Sequence, residues 1–224
     1  MKNTVKRITN IDIKNYYKLE LEKNGIYIRF DEKDIMKARA LIIGPSDTIY
    51  ENAYLFFNIE FPNNYPFLPP NVRYISQNNV RIHPNIYTNG KVCLSILGTW
   101  NGPSWTSIMD INTVLLTIQS LLDNNPLIHE PGCNNKKFKK KQLIYKQIVN
   151  YNTYNSLIID VVKRDLGDFE IFREIIDKTF DKEKTIEKID KLKDTYIDNE
   201  ILMCSIYRIK SNINFERLKK KYLK

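Results

Sequence analysis

Hydrophobic spacing divides the chain into a helical start, a β-rich middle and a helical remainder. Near the start, Val5, Ile8, Tyr16 and Leu19 share one helical stripe with a single acidic interruption at Asp12, which predicts an amphipathic first helix ending at Asn24-Gly25. From Gly25 the spacing gives way to short runs rich in β-branched and aromatic residues at 26–30, 38–43, 54–61 and 72–75. Turn residues such as Gly44-Pro45-Ser46-Asp47 and Pro62-Asn63-Asn64 separate them. Connections this short predict a four-stranded antiparallel meander, one face on the first helix and the other on later parts of the chain.

Helical period returns at Ile111, Val114, Leu115, Ile118, Leu121 and Leu122, a central helix that Ser107 or Asp110 can cap and Asn124-Asn125-Pro126 stops. Beyond Pro131-Gly132 the pattern predicts helices at 143–166, 169–180, 182–193, 197–209 and 214–223. The whole reads as an α+β fold. Two stretches lack either period. Tyr65-Pro66-Phe67-Leu68-Pro69-Pro70 must be a rigid extended connector, because its prolines fix φ and remove donors. Residues 76–105 form a long loop around Val92-Cys93-Leu94-Ser95-Ile96-Leu97, and long ordered loops tend to carry function.

Composition narrows the class. A 42% hydrophobic content over 224 residues suffices for a core, and every apolar run is broken well short of the ~18 residues of a membrane span, so a soluble intracellular protein, cytoplasmic or nuclear, is expected. The three cysteines, Cys93, Cys133 and Cys204, include no closely spaced pair, and with only His83 and His129 beside them neither a disulfide framework nor a metal site is expected. Much of the net charge of +9 comes from Lys136, Lys137, Lys139, Lys140, Lys141 and Lys146. That run lacks interleaved aromatics and reads as a solvated face, so nucleic acid is not the expected partner.

Cys93 is the candidate nucleophile. An unperturbed thiol, with a pKa of about 8.5, is a few per cent thiolate at neutral pH yet intrinsically nucleophilic. The spacing of His83 and His129 argues for no dyad with it. A weakly activated cysteine beside the Asn85 amide suits acceptance of an acyl group from another thioester, held for a better nucleophile.

His83-Pro84-Asn85 with Cys93 eight residues after the asparagine, Gly44-Pro45-x-x-Thr48-x-Tyr50-Glu51, Tyr65-Pro66-x-x-Pro69-Pro70, and Trp105 ahead of the Val114-Leu115-Leu116 helix together resemble the ubiquitin-conjugating enzyme family. The resemblance covers residues 1–165 as a conjugating core domain and leaves 166–224 as a helical C-terminal extension. The run from Gly90 to Trp105 and Asn125-Pro126-x-x-x-Glu130-Pro131-Gly132 are similar to the larger Z-type members, which carry such an extension.

The resemblance implies an acyltransferase that needs no cofactor. Its partners would be ubiquitin or a ubiquitin-like modifier, an activating enzyme, a ligase and substrate proteins. It implies that Cys93 takes the modifier as a thioester and that Asn85 supports transfer, by donating to the forming oxyanion or to a neighbouring loop's backbone. His83 and Pro84 would be structural, and Trp100 and Trp105 would pack under the active-site loop. Lys6, Arg7 and Lys14 on the first helix, Phe67 in the connector and Ser107 would meet activating enzyme or ligase.

Two departures from the family pattern stand out. Many members carry an acid two residues after the cysteine and others in the loop after the central helix, where they orient the attacking lysine. Here those places hold Ser95 and Leu127-Ile128-His129-Glu130, leaving Glu130, then His129 and Ser95, as candidates for that gate. The Ser-Pro-Ala that commonly follows the tryptophan is Thr106-Ser107-Ile108. The rival reading is a catalytically silent binding module on the same fold.

Overall fold

In the computed structural model, which describes residues 2–223, helix α1 (Lys2–Arg7) continues through a π-helical turn (Ile8–Asp12) into α2 (Ile13–Lys18). The residues turned inward are Thr4, Ile8, Asp12 and Tyr16, at every fourth position, because a π turn holds more residues than an α turn. The expected stripe therefore holds in its middle and fails at its ends: Val5 is half-buried and Leu19 exposed. A 3₁₀ turn (Leu21–Asn24) then ends at Gly25, whose φ of 75° is the left-handed cap expected of Asn-Gly.

Asp12, the acidic interruption, turns out to be a fully buried junction. Its Oδ1 accepts from the Tyr65 hydroxyl and from the Ile111 N–H at 2.9 Å, and its carbonyl accepts from the Asn112 amide at 2.9 Å. Helix, connector and central helix thus meet on one carboxyl. Burial pushes that carboxyl up to about 6 from an ordinary 3.8, against the lowering effect of the two hydrogen bonds. A raised folded-state pKa stabilises the fold fully below about pH 4, and the contribution is lost as pH rises through 6. The stability difference between Asp12→Asn and the wild type is accordingly expected to move toward the variant by on the order of 3 kcal/mol from pH 4 to pH 7, read by denaturant titration at each pH.

Strands β1 (Ile26–Phe30), β2 (Lys37–Ile43), β3 (Tyr54–Glu60) and β4 (Asn71–Ile75) pair antiparallel in the order β1-β2-β3-β4, within a residue of the predicted runs. Ile28, Ala40, Phe57 and Tyr74 stand in register on the inner face. They share a continuous core with the buried stripe Ile111, Val114, Leu115 and Ile118 of helix α3 (Ile111–Ser120). Of the two cap candidates it is Asp110 that caps α3, accepting from the Thr113 N–H at 3.0 Å.

After α3 come α4 (Lys139–Asn152), a π turn (Thr153–Ile158), α5 (Ile159–Lys163), a 3₁₀ segment (Gly167–Phe172), α6 (Arg173–Thr179) and α7 (Lys182–Thr195). The helix expected at 197–209 is instead a hairpin of β5 (Glu200–Cys204) and β6 (Ile209–Ile213), followed by α8 (Phe215–Leu223). Its inward residues Leu202, Cys204, Ile209, Ser211 and Ile213 alternate with exposed Ile201, Met203, Lys210 and Asn212, a period of two.

The outer face of the four-stranded sheet explains where the chain goes after α5. Tyr54 and Phe56 on that face are apolar and buried, whereas Arg39, Asn58 and Arg73, also in register, are polar. Phe169 and Phe172 cover the apolar half, their ring centroids 4.9 and 6.5 Å from Phe56, and Asp168 meets Arg39 at 3.0 Å. Phe172 is fully buried, and Phe172→Ala is expected to cost about 3–5 kcal/mol of stability by chemical denaturation.

Candidate active site

The Cys93 loop is tied at each residue on either side of the thiol. Ile86 bridges to Val92, the Cys93 N–H donates to the Asn85 carbonyl at 2.8 Å, and the Asn85 side-chain amide donates back to the Cys93 carbonyl at 2.8 Å. Thr99 completes the bracket, its hydroxyl accepting from the Leu94 N–H at 2.9 Å and donating to the Val92 carbonyl at 2.7 Å. Nothing in the sequence singled out Thr99. Cys93 itself is 1% exposed.

His83 is buried, and its Nδ1 accepts the Asn85 N–H at 3.0 Å, which assigns the ring proton to Nε2. Burial, helped by His129 and Arg81 nearby, pushes its pKa well below the usual imidazole range. A neutral ring fixed in this way orients Asn85 and serves as scaffold. Pro84 is buried beside it, its carbonyl accepting from Arg81.

The candidate gate residues do not converge. Ser95 opens a short 3₁₀ turn (Ser95–Leu97) just past the thiol. The His129 ring lies 4.9 Å from the His83 ring, and its Nε2 is 2.7 Å from an Asp123 oxygen. Glu130 accepts from the Tyr207 hydroxyl at 2.6 Å, so the acid expected beside the attacking amine is already engaged by the tip of the C-terminal hairpin. Tyr207 also faces Arg81, whose guanidinium lies 4.4 Å from its ring and 3.6 Å from that of Tyr87 in the cysteine loop. Sequence reasoning missed this Tyr87-Arg81-Tyr207 stack because Tyr207 lies more than a hundred residues beyond the loop that carries Arg81 and Tyr87.

The two tryptophans divide. The Trp105 indole N–H donates to the Pro66 carbonyl at 2.7 Å and its ring lies 6.0 Å from Tyr65, so it packs against the proline-rich connector. Trp100 is 41% exposed and does not pack under the loop as expected, the bracing there coming from Thr99.

Among residues expected to face partners, Lys6, Lys14 and Ser107 are exposed and Phe67 is 78% exposed. Leu68 beside Phe67 and Ile108 beside Ser107 are exposed as well, and the Trp105–Pro66 bond joins their two loops. Arg7 differs from the expectation. Its guanidinium donates to the Met109 carbonyl at 2.8 Å and lies 3.8 Å from Asp12, an internal tie between the first helix and the segment before α3. Among the described residues no cluster of His, Cys, Asp and Glu could hold a metal ion, and no helix is long and apolar enough to cross a membrane.

Comparison with known proteins bears on this geometry. The sequence model of the family described as "Ubiquitin-conjugating enzyme" matches residues 12–153, which contain Asn85 and Cys93. "Ubiquitin-conjugating enzyme E2 Z" of Danio rerio is 38% identical over 158 residues, covering 70% of this chain and 48% of that protein. The Homo sapiens protein of the same name is also 38% identical, covering 70% and 45%. "Probable ubiquitin-conjugating enzyme protein 17" of Caenorhabditis elegans is 35% identical over 189 residues, 79% of this chain and 25% of that one. The chain spans about half the length, or less, of these curated relatives.

Proposed function

The chain belongs to the ubiquitin-conjugating enzyme family, and on that premise we propose that it accepts ubiquitin, or a ubiquitin-like modifier, from an activating enzyme as a thioester on Cys93. It then passes the acyl group to a lysine amine or to a ligase cysteine. The observation that carries this reading is the reciprocal pair of 2.8 Å bonds between Asn85 and the Cys93 peptide, which holds a side-chain amide beside the nucleophile.

In the first step the Cys93 thiolate attacks the carbonyl carbon of the modifier's C-terminal glycine. A C–S bond forms, the tetrahedral oxyanion collapses, and the activating enzyme's thiolate leaves, so one thioester replaces another without redox change. The thiol is 1% exposed, so the acyl group reaches it only when the packing around Cys93 opens. Exposed Phe67, Leu68 and Ile108, with Ser107 at the loop's rim, form the ligase-facing surface, and Lys6 and Lys14 face the activating enzyme.

Engagement of Glu130 by Tyr207 favours a ligase cysteine over a free lysine as acceptor, since a thiolate acceptor needs no acid to orient and deprotonate it. The burial of Cys93 favours one second reading, a silent binding module. Incubation with activating enzymes, ubiquitin and ATP separates the two. An adduct that disappears with thiol reductant supports the conjugating reading, and absence of adduct with every activating enzyme tried leaves the binding module.

A further inference from the structure

A groove lies where the hairpin and last helix meet α4 and the π turn after it. It encloses about 720 Å³ and is lined by Lys210, Ser211 and Asn212 of β6, by Arg217, Lys220 and Lys221 of α8, and by asparagines including Asn152 and Asn155. Most of this wall lies beyond the residues the family model matches.

Its charge is one-sided. No carboxylate lines the groove, and from Ile201 to Leu223 the sequence has a single acid, Glu216. Lys221 is neutralised by Asp160 at 2.6 Å, but among the described residues Lys210, Arg217 and Lys220 form no ion pair. Arg217, Lys220 and Lys221 stand at i, i+3 and i+4, one face of α8, while Phe215, Leu218 and Tyr222 are buried. Like charges collected on a concave wall repel one another in the free protein and are relieved by an anion.

The backbone supplies a second, independent feature. The hairpin is a two-stranded sheet, so among the described residues one edge of β6 has no ladder partner. Three consecutive β6 residues, and none from β5, line the groove, so this free edge forms its wall. An unpaired edge is a template for another extended chain. A groove of this size admits an extended segment but not a nucleic acid duplex. Its aromatic residue, Tyr151, is 6% exposed, leaving no open ring on which bases could stack.

We propose that the groove between β6 and α8 binds an acidic, extended peptide segment of a protein partner. The segment adds to β6 as a third strand, its carboxylates facing Lys210, Arg217 and Lys220. The inference is independent of thioester chemistry at Cys93. For a conjugating enzyme it supplies a recruitment site on the extension, apart from the cysteine loop.

The test is fluorescence anisotropy of the full chain with a labelled peptide of alternating Glu and Thr. Controls are the same peptide with Gln for Glu, one N-methylated at alternate bonds, a single-stranded oligonucleotide, and tripolyphosphate. The proposal expects the Glu peptide to bind more tightly than every control. The combined variant Lys210→Glu, Arg217→Glu and Lys220→Glu, altered only at exposed positions and checked for folding by circular dichroism, is expected to weaken binding roughly ten- to hundredfold. Undiminished binding by that variant, or by the Gln or N-methylated peptide, overturns the proposal. So does absence of binding by the Glu peptide, or equal or tighter binding of the oligonucleotide or tripolyphosphate.

Discussion

Cys93→Ala is expected to take up no ubiquitin from activating enzyme and ATP, and Cys93→Ser to take it up slowly in a form that resists reductant. Acylation of a thiol gives a thioester, which exogenous thiols exchange away, whereas acylation of a serine hydroxyl gives an oxyester that they do not attack readily. A hydroxyl also ionises far less than a thiol near neutral pH, so acceptance slows even though the product is more durable. Both substitutions shorten or replace one small buried group, and the loop around it is held by backbone bonds and by Thr99 rather than by the thiol. Melting temperatures close to that of the wild type are therefore expected alongside the loss of the reductant-sensitive adduct. A Cys93→Ala protein that still charges to the wild-type extent sinks the assignment.

Asn85→Ala is expected to slow transfer from the charged enzyme by on the order of 10²–10³-fold, the usual consequence of removing an oxyanion donor. The same amide now bonds the Cys93 carbonyl, so the substitution also leaves a buried acceptor unpaired, at a cost of about 1–3 kcal/mol. Both effects should appear together, because one amide group has two hydrogens and only one is needed for the scaffold bond. Single-turnover discharge of pre-charged enzyme reports the first, and denaturant unfolding the second. A variant that is destabilised but transfers within a few-fold of wild type reduces Asn85 to scaffold.

The groups that set this geometry could be read in the sequence only in part. The spacing of His83, Asn85 and Cys93 in one loop was legible because all three are local, and the strands were legible because alternating apolar residues and turn-forming residues coincide. Burial of Cys93 was not, since it is set by tertiary packing and not by the residues next to it in the chain. The hairpin at 200–213 escaped because its turn, Ser205-Ile206-Tyr207-Arg208, lacks glycine, asparagine or proline, with Arg208 taking the positive φ of 54° that glycine would normally supply. Without that punctuation, Ile201, Leu202, Met203 and Ile209 read as an apolar helical stretch. Glu130 shows the same limit at the site: its residue type suited a gate, but its partner Tyr207 lies far along the chain and only the fold brings them together. Asp12 looked like a flaw in a helical stripe and proved to be the point where helix, connector and central helix join.

The central claim is the place at which the modifier is attached. The chain has three cysteines, all buried and none in a disulfide, so charging alone does not identify the acceptor. Peptide mapping of the charged wild-type protein by mass spectrometry, under acidic non-reducing conditions that preserve thioesters, answers it. The expected result is the modifier's C-terminal remnant on the peptide containing Cys93 and its removal by reductant; a remnant on Cys133, Cys204 or a lysine, with Cys93 unmodified, contradicts the claim.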